Sequence, residues 1–388
     1  MELIYRVLFY MSGFIIVWAM VGYPLSLKLI GKFYNNRKLE KDYSNQPTVT
    51  VMVVAHNEEK VIYAKLNNII RLEYPSEKIE FLIASDNSTD KTNEIVSQFI
   101  RAHRDYKMTL YEVMGRKGKT NAQNEAQKKI TTEFVVMTDA NSIMDKESVK
   151  ELMAAFTSDN IAYVSGKLSI VNEDTSAVSG AEASYWDSDL ATREIESRIQ
   201  TITAGNGALY ACRTKEYYDF DPIECHDSAM PTFYALQGKR AIANHDAIAY
   251  EKAGEIIEDE FGRKVRMNRT ILSHILPNIR ILNVFKYKWF TYNYLGHRTC
   301  RYLLWISHLT ILITNSLILS GSWFYKMVFF AQLLFYLLAV IRGITKSNNK
   351  YLTLIYYYCV TIIAQWSGVY NILTGKAKPF WEKAESTR

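Results

Sequence analysis

The sequence predicts an α/β domain, with a mixed and mainly parallel sheet, carried on transmembrane helices. Short apolar, β-branched runs alternate with helically spaced segments between residues 48 and 138. Uncharged runs at 7–27, 302–325, 327–341 and 351–374 approach or exceed the ~20 residues that cross a bilayer. Acidic residues are segregated as well: none lies between Glu260 and Glu382. Hydrophobic residues at 48% and charged residues at 22% would suit a soluble protein, so it is their segregation that excludes one.

Taken in order, the run 7–27 is long and lacks a small-residue cleavage site before Lys28, which marks a retained anchor. Lys28, Lys32, Arg37, Lys38 and Lys41 follow it and place this flank in the cytoplasm. Residues 48–55, 79–85, 108–113 and 133–138 read as strands, and 58–71, 91–102 and 119–129 as helices. Such alternation gives a parallel sheet covered on both faces, with ligands at the carboxyl ends of its strands. The segment 261–300 holds eight Lys/Arg and many aromatics, which suits an amphipathic stretch at the lipid headgroups. A break near Ser320, Gly321 and Ser322 separates two closely spaced spans, and a last span covers 351–374. The expected organisation is an anchor at 1–30, a cytosolic domain at 45–260, an interfacial segment at 261–300, membrane helices at 301–375 and a tail at 376–388. Four full spans would put the tail outside, whereas Lys376, Lys378, Lys383 and Arg388 favour the inside, so one run is expected to be re-entrant or interfacial. The four cysteines show no CxxC and no zinc-ligand spacing, as expected of a reduced compartment.

The chemistry-bearing residues stand just past strand ends. The first group is Ala55, His56, Asn57, Glu58 and Glu59. The second, Ser85, Asp86, Asn87, Ser88, Thr89 and Asp90, suits a helix N-cap, yet Asp86 is not needed for capping and could accept the imide N–H of a pyrimidine. The third is Asp139, Ala140 and Asn141, which suits either a turn or an oxygen site for Mg²⁺ or Mn²⁺. No GxxxxGK[ST], no GxGxxG after a strand and no HExxH is present.

The order AxNE, SDxSxD, GKxxAxN and DxN between membrane spans resembles the family-2 glycosyltransferases, over nearly the whole chain. The resemblance implies a nucleotide-sugar-binding GT-A domain, Rossmann-like in its sheet. It implies donor contacts by Ala55, Asn57, Glu58, Asp86, Ser88, Lys119, Asn124 and Asp139. A divalent cation, Mg²⁺ or Mn²⁺, would be held by Asp139 and Asn141, with Asn in place of the family's second Asp. Asp227 takes the place of the family's base, beside His226 where Glu or Thr is usual. Gly205, Asn206, Gly207 and His226 are assigned to the acceptor or diphosphate region, together with Arg263, Arg266 and Arg269, whose spacing of three would put them on one helix face. The processive synthases carry QxxRW here; this chain does not.

The function so implied is transfer of a sugar, with inversion, from a nucleotide sugar (a UDP-sugar) to a lipid-linked or polymeric saccharide acceptor at the plasma membrane, in cell-surface polysaccharide or glycolipid assembly. The lipid bilayer is an expected partner and nucleic acid is not. The rival readings are a polyprenyl-phosphate glycosyltransferase and an inactive scaffold relative.

Overall fold

Val49–Ala55 (β1) is apolar but for Thr50 and sits between two parallel neighbours. It pairs with Ile79–Asp86 (β2) on one side and Phe134–Asp139 (β4) on the other, in register Val49↔Ile79 and Val49↔Phe134. Met108–Val113 (β3) adds a third parallel pair beside β2. Beyond β4 the sheet turns mixed: Leu209–Arg213 (β7) runs antiparallel to both β4 and Ile161–Ile170 (β6). Arg240–Glu251 (β8) is parallel to β6 and carries the two-residue strand Ile143–Met144 (β5) at the edge. The eight-stranded order is β3-β2-β1-β4-β7-β6-β8-β5, the mixed, mainly parallel sheet that the sequence predicts. The computed structural model describes residues 1–34, 38–115, 117–347 and 349–380; Arg37, Lys383 and Arg388 lie outside the described residues.

Each face of the sheet enters its own core, because alternate side chains of a strand point to opposite faces. Val49, Val51 and Val53 meet Ile62, Leu66 and Ile69 of helix Ile62–Ile69, and Val96 and Phe99 of Thr92–Ala102. Met52, Val135 and Met137 meet Ala126 of Lys119–Gln127, and Met230 and Tyr234 of His226–Leu236. A fully buried Val or Met contributes roughly 1.5–3 kcal/mol, so these layers hold the strand ends rigidly.

One helix starts later than its apolar spacing predicts. The segment 58–71 becomes α-helical only at Ile62, because Asn57 adopts a left-handed backbone (φ 55°) and residues 59–61 form a turn.

The membrane part is less regular than the uncharged runs predict. Residues 2–33 are continuously helical, with a π-helical turn at Trp18–Gly22 between Glu2–Val17 and Tyr23–Phe33. The run 302–325 is not one span: helix Leu304–Leu317 ends at 14 residues and the chain reverses through 318–322. Trp323–Thr345 and Lys350–Leu373 are long and apolar enough to cross a membrane, as is Glu2–Phe33. Phe9, Ile311, Ile318 and Tyr325 pack the first, the short and the next helix together. The last helix packs on Trp323–Thr345, where Arg342 donates to Thr353 (3.1 Å), and also docks on the α/β domain. The Tyr357 hydroxyl donates to Glu260 (3.1 Å) and to Glu182, and Gly368 lies so close to Asn268 that a Cβ there would stand 2.5 Å from the Asn268 Cβ. The 261–300 segment is no single amphipathic helix either. It is a chain of short turns whose Leu276, Ile279 and Phe285 are 76%, 79% and 91% exposed, an apolar rim of the kind that lipid covers.

Candidate functional site

The parallel register brings the predicted motifs together. Ala55 is level with Ser85, and Asp139 is level with Val54, so the ends of β1, β2 and β4 open on one edge. There the first two loops lock. The Asn57 side-chain carbonyl accepts the Thr89 N–H (2.7 Å), Ser88 Oγ accepts the Asn57 N–H (3.1 Å), and Thr92 Oγ1 accepts the Glu58 N–H (2.8 Å). The ring nitrogen Nδ1 of His56 bonds the Asp86 carbonyl at 2.6 Å.

Asp86 is 3% exposed, and its carboxylate accepts the N–H groups of Lys117 (3.2 Å) and Gly118 (3.0 Å). It therefore pins the loop that launches helix Lys119–Gln127, a task that the sequence did not disclose. Gly118 itself has φ 95°, which glycine adopts without strain.

Lys119, at the first position of that helix, ion-pairs with Asp139 and donates to the Gly207 carbonyl (3.4 Å). Asp227 enters from the first turn of helix His226–Leu236. The three converge on Gly207: a Cβ built there would stand 3.2 Å from Lys119 Nζ, 3.6 Å from Asp139 Oδ2 and 3.8 Å from the Asp227 carboxyl carbon. Burial raises the Asp227 pKa; Lys119 opposes this and Asp139 adds to it. Burial works against the Lys119 ammonium, but Asp139 and Asp227 outweigh it and hold the lysine charged. Burial thus favours the protonated Asp227 carboxyl while the neighbouring ammonium favours the carboxylate.

The loop under Asp227 is built from within. The Gly205 N–H donates to the Asp227 carbonyl (2.7 Å), and Arg193 of helix Ala177–Ile199 donates to the Gly205 carbonyl while pairing with Asp189 (2.6 Å). Asn206 is spent on this scaffold, donating to the Gly166 carbonyl (2.6 Å) and accepting from Ala208 and Leu209. Asn141 lies half-buried in the turn after β4.

Several residues assigned from the sequence do not face this cradle. Asn124 and His226 bond each other (2.9 Å), and Asn124 also takes the Tyr217 hydroxyl and holds the Phe220 carbonyl. His226 is 1% exposed, and burial, aided by Lys119, lowers its pKa to about 3, so it is a neutral core residue and not an acceptor contact. The three arginines do not form one face, because the helix ends at Met267 and a 3-10 turn carries Arg269 away. Arg263 pairs with Glu182 and Glu260. Arg269 donates to the carbonyls of Ile223, Glu224 and Pro379 and so braces the loop before Asp227. Burial, then Arg263, lowers the Arg266 pKa to about 10, while Cys225 and Asp139 pull it up.

Sequence reasoning missed Arg193 and Lys65. Lys65 is fully buried and donates to Thr138 Oγ1 (2.8 Å) and the Ser142 carbonyl (2.7 Å), directly beneath Asp139. Its signal was a lysine on the apolar stripe Ile62, Leu66, Ile69. For Arg193 the sequence offered only its i,i+4 spacing from Asp189, because the Gly205 carbonyl that it holds is 12 residues away and across a turn.

Comparison with known proteins follows the same lines. The Glycosyl transferase family 2 profile matches residues 50–224. The probable glycosyltransferase YdaM of Bacillus subtilis (strain 168) is 30% identical over 165 residues, 40% of this chain and 39% of its own length. The poly-beta-1,6-N-acetyl-D-glucosamine synthase of Staphylococcus epidermidis is 30% identical over 146 residues, 37% of this chain and 34% of its own length. The chain thus spans well under half of the length of these relatives. Among solved structures, the mannosyltransferase PcManGT from Pyrobaculum calidifontis, in complex with GDP-Man and Mn²⁺, superposes with a TM-score of 0.71. It is 22% identical and covers 95% of this chain and 99% of that one, a likeness of fold.

Proposed function

Residues 50–224 being a family-2 glycosyltransferase domain, we propose that the chain is a membrane-bound, inverting glycosyltransferase. It moves a sugar from a nucleotide sugar, a UDP-sugar, to a saccharide or glycolipid acceptor in cell-surface assembly. The observation that carries the reading is the convergence of Lys119, Asp139 and Asp227 on Gly207. An acceptor hydroxyl oxygen attacks the anomeric carbon from the face opposite the diphosphate and gives its proton to Asp227. The bond from that carbon to the diphosphate oxygen breaks, and the leaving group takes the electron pair. Lys119 meets the charge that develops there.

A divalent cation fits the residues present. Asp139 offers a hard oxygen ligand, its Oδ2 facing the open space at Gly207, and Asn141 follows one residue on. Among the described residues no group of three acidic, His or Cys side chains gathers, so the donor phosphates would supply the remaining oxygens, as suits Mg²⁺ or Mn²⁺. When bound, the cation neutralises diphosphate charge.

The topology that fits is an inward-facing domain at the plasma membrane. Glu2–Phe33, Trp323–Thr345 and Leu304–Leu317 together with the helical turns at 289–302 that lead into it cross, and Lys350–Leu373 lies along the domain at the interface. That arrangement reconciles the parity of the spans with the basic tail.

The test pairs Asp227→Asn with a panel of radiolabelled UDP-sugars on native membranes. Transfer should fall about 10²–10⁴-fold while donor binding persists, the mark of a group acting in the transition state. NMR of the product should show a β-anomeric proton from an α-linked donor. Wild-type rates in the variant, or an α-linked product, would overturn the reading.

A further inference from the structure

Beyond Gly207 the same edge of the sheet carries a recess whose lining includes none of the nucleotide-sugar motifs. β7 runs antiparallel to both β4 and β6, so β6 is parallel to β4 and its last residues leave the sheet on the edge where Asp139 does. Tyr210 is level with both Met137 and Ser165. Asp139 stands two residues past the first and Lys167 two past the second. Two inter-strand steps separate the backbones of β4 and β6 by roughly 10 Å. Hydrogen bonds join the two places. The Gly205 N–H donates to the Asp227 carbonyl (2.7 Å), and Asn206 donates to the carbonyl of Gly166, the residue before Lys167 (2.6 Å).

The recess has a volume of about 210 Å³. Lys167 and Ser169 of β6, Glu173 in the turn beyond it, and Trp186 and Asp187 of helix Ala177–Ile199 line it. Among the described residues the side chains of Lys167, Ser169, Glu173 and Asp187 form no hydrogen bond and no ion pair with the rest of the chain. An ammonium, a hydroxyl and two carboxylates thus line one hollow without pairing. Trp186 is 8% exposed, its indole N–H donates to Glu182 (2.6 Å), and Arg193 rests on its ring at 5.7 Å. Its polar atom is spent, so it offers carbon to the recess.

Such a wall selects its ligand. Groups that only donate, groups that only accept and a hydroxyl together suit a ligand whose every polar group does both, as a sugar hydroxyl does. Two carboxylates against one ammonium disfavour a phosphate or any other anion. An apolar cavity of about 150 Å³ holds one benzene molecule, so this recess has room for one six-membered ring with its hydroxyls. Water fills a polar recess in the free protein, and sugar hydroxyls can replace it group for group.

We propose that the recess is a subsite for one neutral sugar ring of the acceptor, with Glu173 and Asp187 accepting from its hydroxyls and Lys167 and Ser169 bonding to them. The nucleotide sugar keeps the ends of β1, β2 and β4, and the acceptor reaches Asp227 from the β6 side, across Gly207. This deepens the transferase reading above and rests on it for the acceptor's role.

The test uses the full chain in phosphatidylcholine nanodiscs and saturation-transfer NMR. Cellobiose, gentiobiose and N,N′-diacetylchitobiose are the probes, and inorganic phosphate is the control. At least one disaccharide should bind wild-type protein, and phosphate should not displace it. Glu173 and Asp187 are exposed, so the double variant Glu173→Ala, Asp187→Ala should keep the wild-type melting temperature. It should bind the disaccharide roughly tenfold or more weakly, as expected for the loss of charged acceptors, with UDP affinity by calorimetry unchanged. Lys167→Met should weaken the disaccharide in the same way and takes the place of the double variant if that does not fold. Failure of all three disaccharides to bind wild type, or equal binding by the variants, would overturn the proposal. Displacement by phosphate would overturn the neutral-sugar assignment. Loss of UDP affinity in the variants would give the recess to the nucleotide sugar and overturn the acceptor assignment. Asp227→Asn separates the two readings. It should lose transfer and keep disaccharide binding, whereas normal transfer by it would sink the base and leave the subsite standing.

Discussion

Gly207 carries no side chain, and that absence lets an ammonium and two carboxylates share one small space. In Gly207→Ala the new methyl would sit 3.2 Å from Lys119 Nζ, against a side chain that can give way. The backbone there needs no positive φ, so the fold should persist with an unchanged melting temperature. Donor affinity should fall roughly tenfold, about 1.4 kcal/mol, as measured by calorimetry with UDP; unchanged affinity would show that the cradle is not a donor contact. Asp86 gives a second prediction. Asp86→Asn presents an amide NH₂ where the Lys117 and Gly118 N–H groups need acceptors, and an unmet buried donor costs about 1–3 kcal/mol. Both the unfolding midpoint and the UDP affinity should drop. A drop in affinity alone would assign Asp86 to the nucleoside and leave the loop independent of it. At this scale the carboxylates were legible, because each stands just past an apolar run. Apart from the local Arg263–Glu260 pair, the partners that consume Asn124, His226, Arg263 and Arg269 were not, because they come from other segments of the chain.

Between elements, helix Ala177–Ile199 joins the Gly205 loop to the N-terminal helix and to the π-helical turn Tyr294–Thr299. Its Arg193 holds Gly205, while its Asp189 and Glu196 clasp His297 of the π-helical turn at 3.0 and 2.7 Å. Glu196 also accepts the Tyr23 hydroxyl (2.7 Å) from the N-terminal helix. Burial lowers the His297 pKa, and Arg301 faces it at 3.1 Å, but Glu196 and Asp189 prevail and raise it above 6.5. A raised folded-state pKa gives stability that is complete below the unfolded value and is lost as pH climbs through the folded one. Wild type should therefore melt higher than His297→Gln at pH 6, and the gap should narrow toward pH 9. A gap that stays constant with pH would show that His297 is not charged in the fold. Tyr294–Thr299 sits in the basic segment read as amphipathic, yet its histidine and arginine point inward, which periodicity alone does not reveal.

For the whole molecule, sidedness is the open physical question, and the C-terminal segment decides it. The Pro379 carbonyl accepts from Arg269 (3.2 Å) and stands 2.5 Å from where a Gly118 Cβ would be, so Pro379 and Phe380 lie against the Gly118 loop of the domain. In intact cells a Lys378→Cys thiol should resist a membrane-impermeant maleimide until the cells are permeabilised. Gly321→Cys, in the loop beside Arg6, should react from outside. The parent chain sets the background from its four cysteines. Labelling of both positions from outside would place the last helix across the bilayer.

The sequence by itself determined the parallel half of the sheet, β1 to β4 with the helices between them, the edge on which the strand ends open and the presence of long apolar helices; strands β5 to β8 came only with the structure. The former follow from local periodicity and from uncharged length, which act within one segment. Only the tertiary structure decided which polar residues face the cradle, that Asp86 pins a loop, that Leu304–Leu317 is short, and that the last apolar helix docks on the domain. Burial is shared between segments far apart in the chain. Tyr357 is as apolar a neighbour as any in its run until Glu182 and Glu260 meet its hydroxyl.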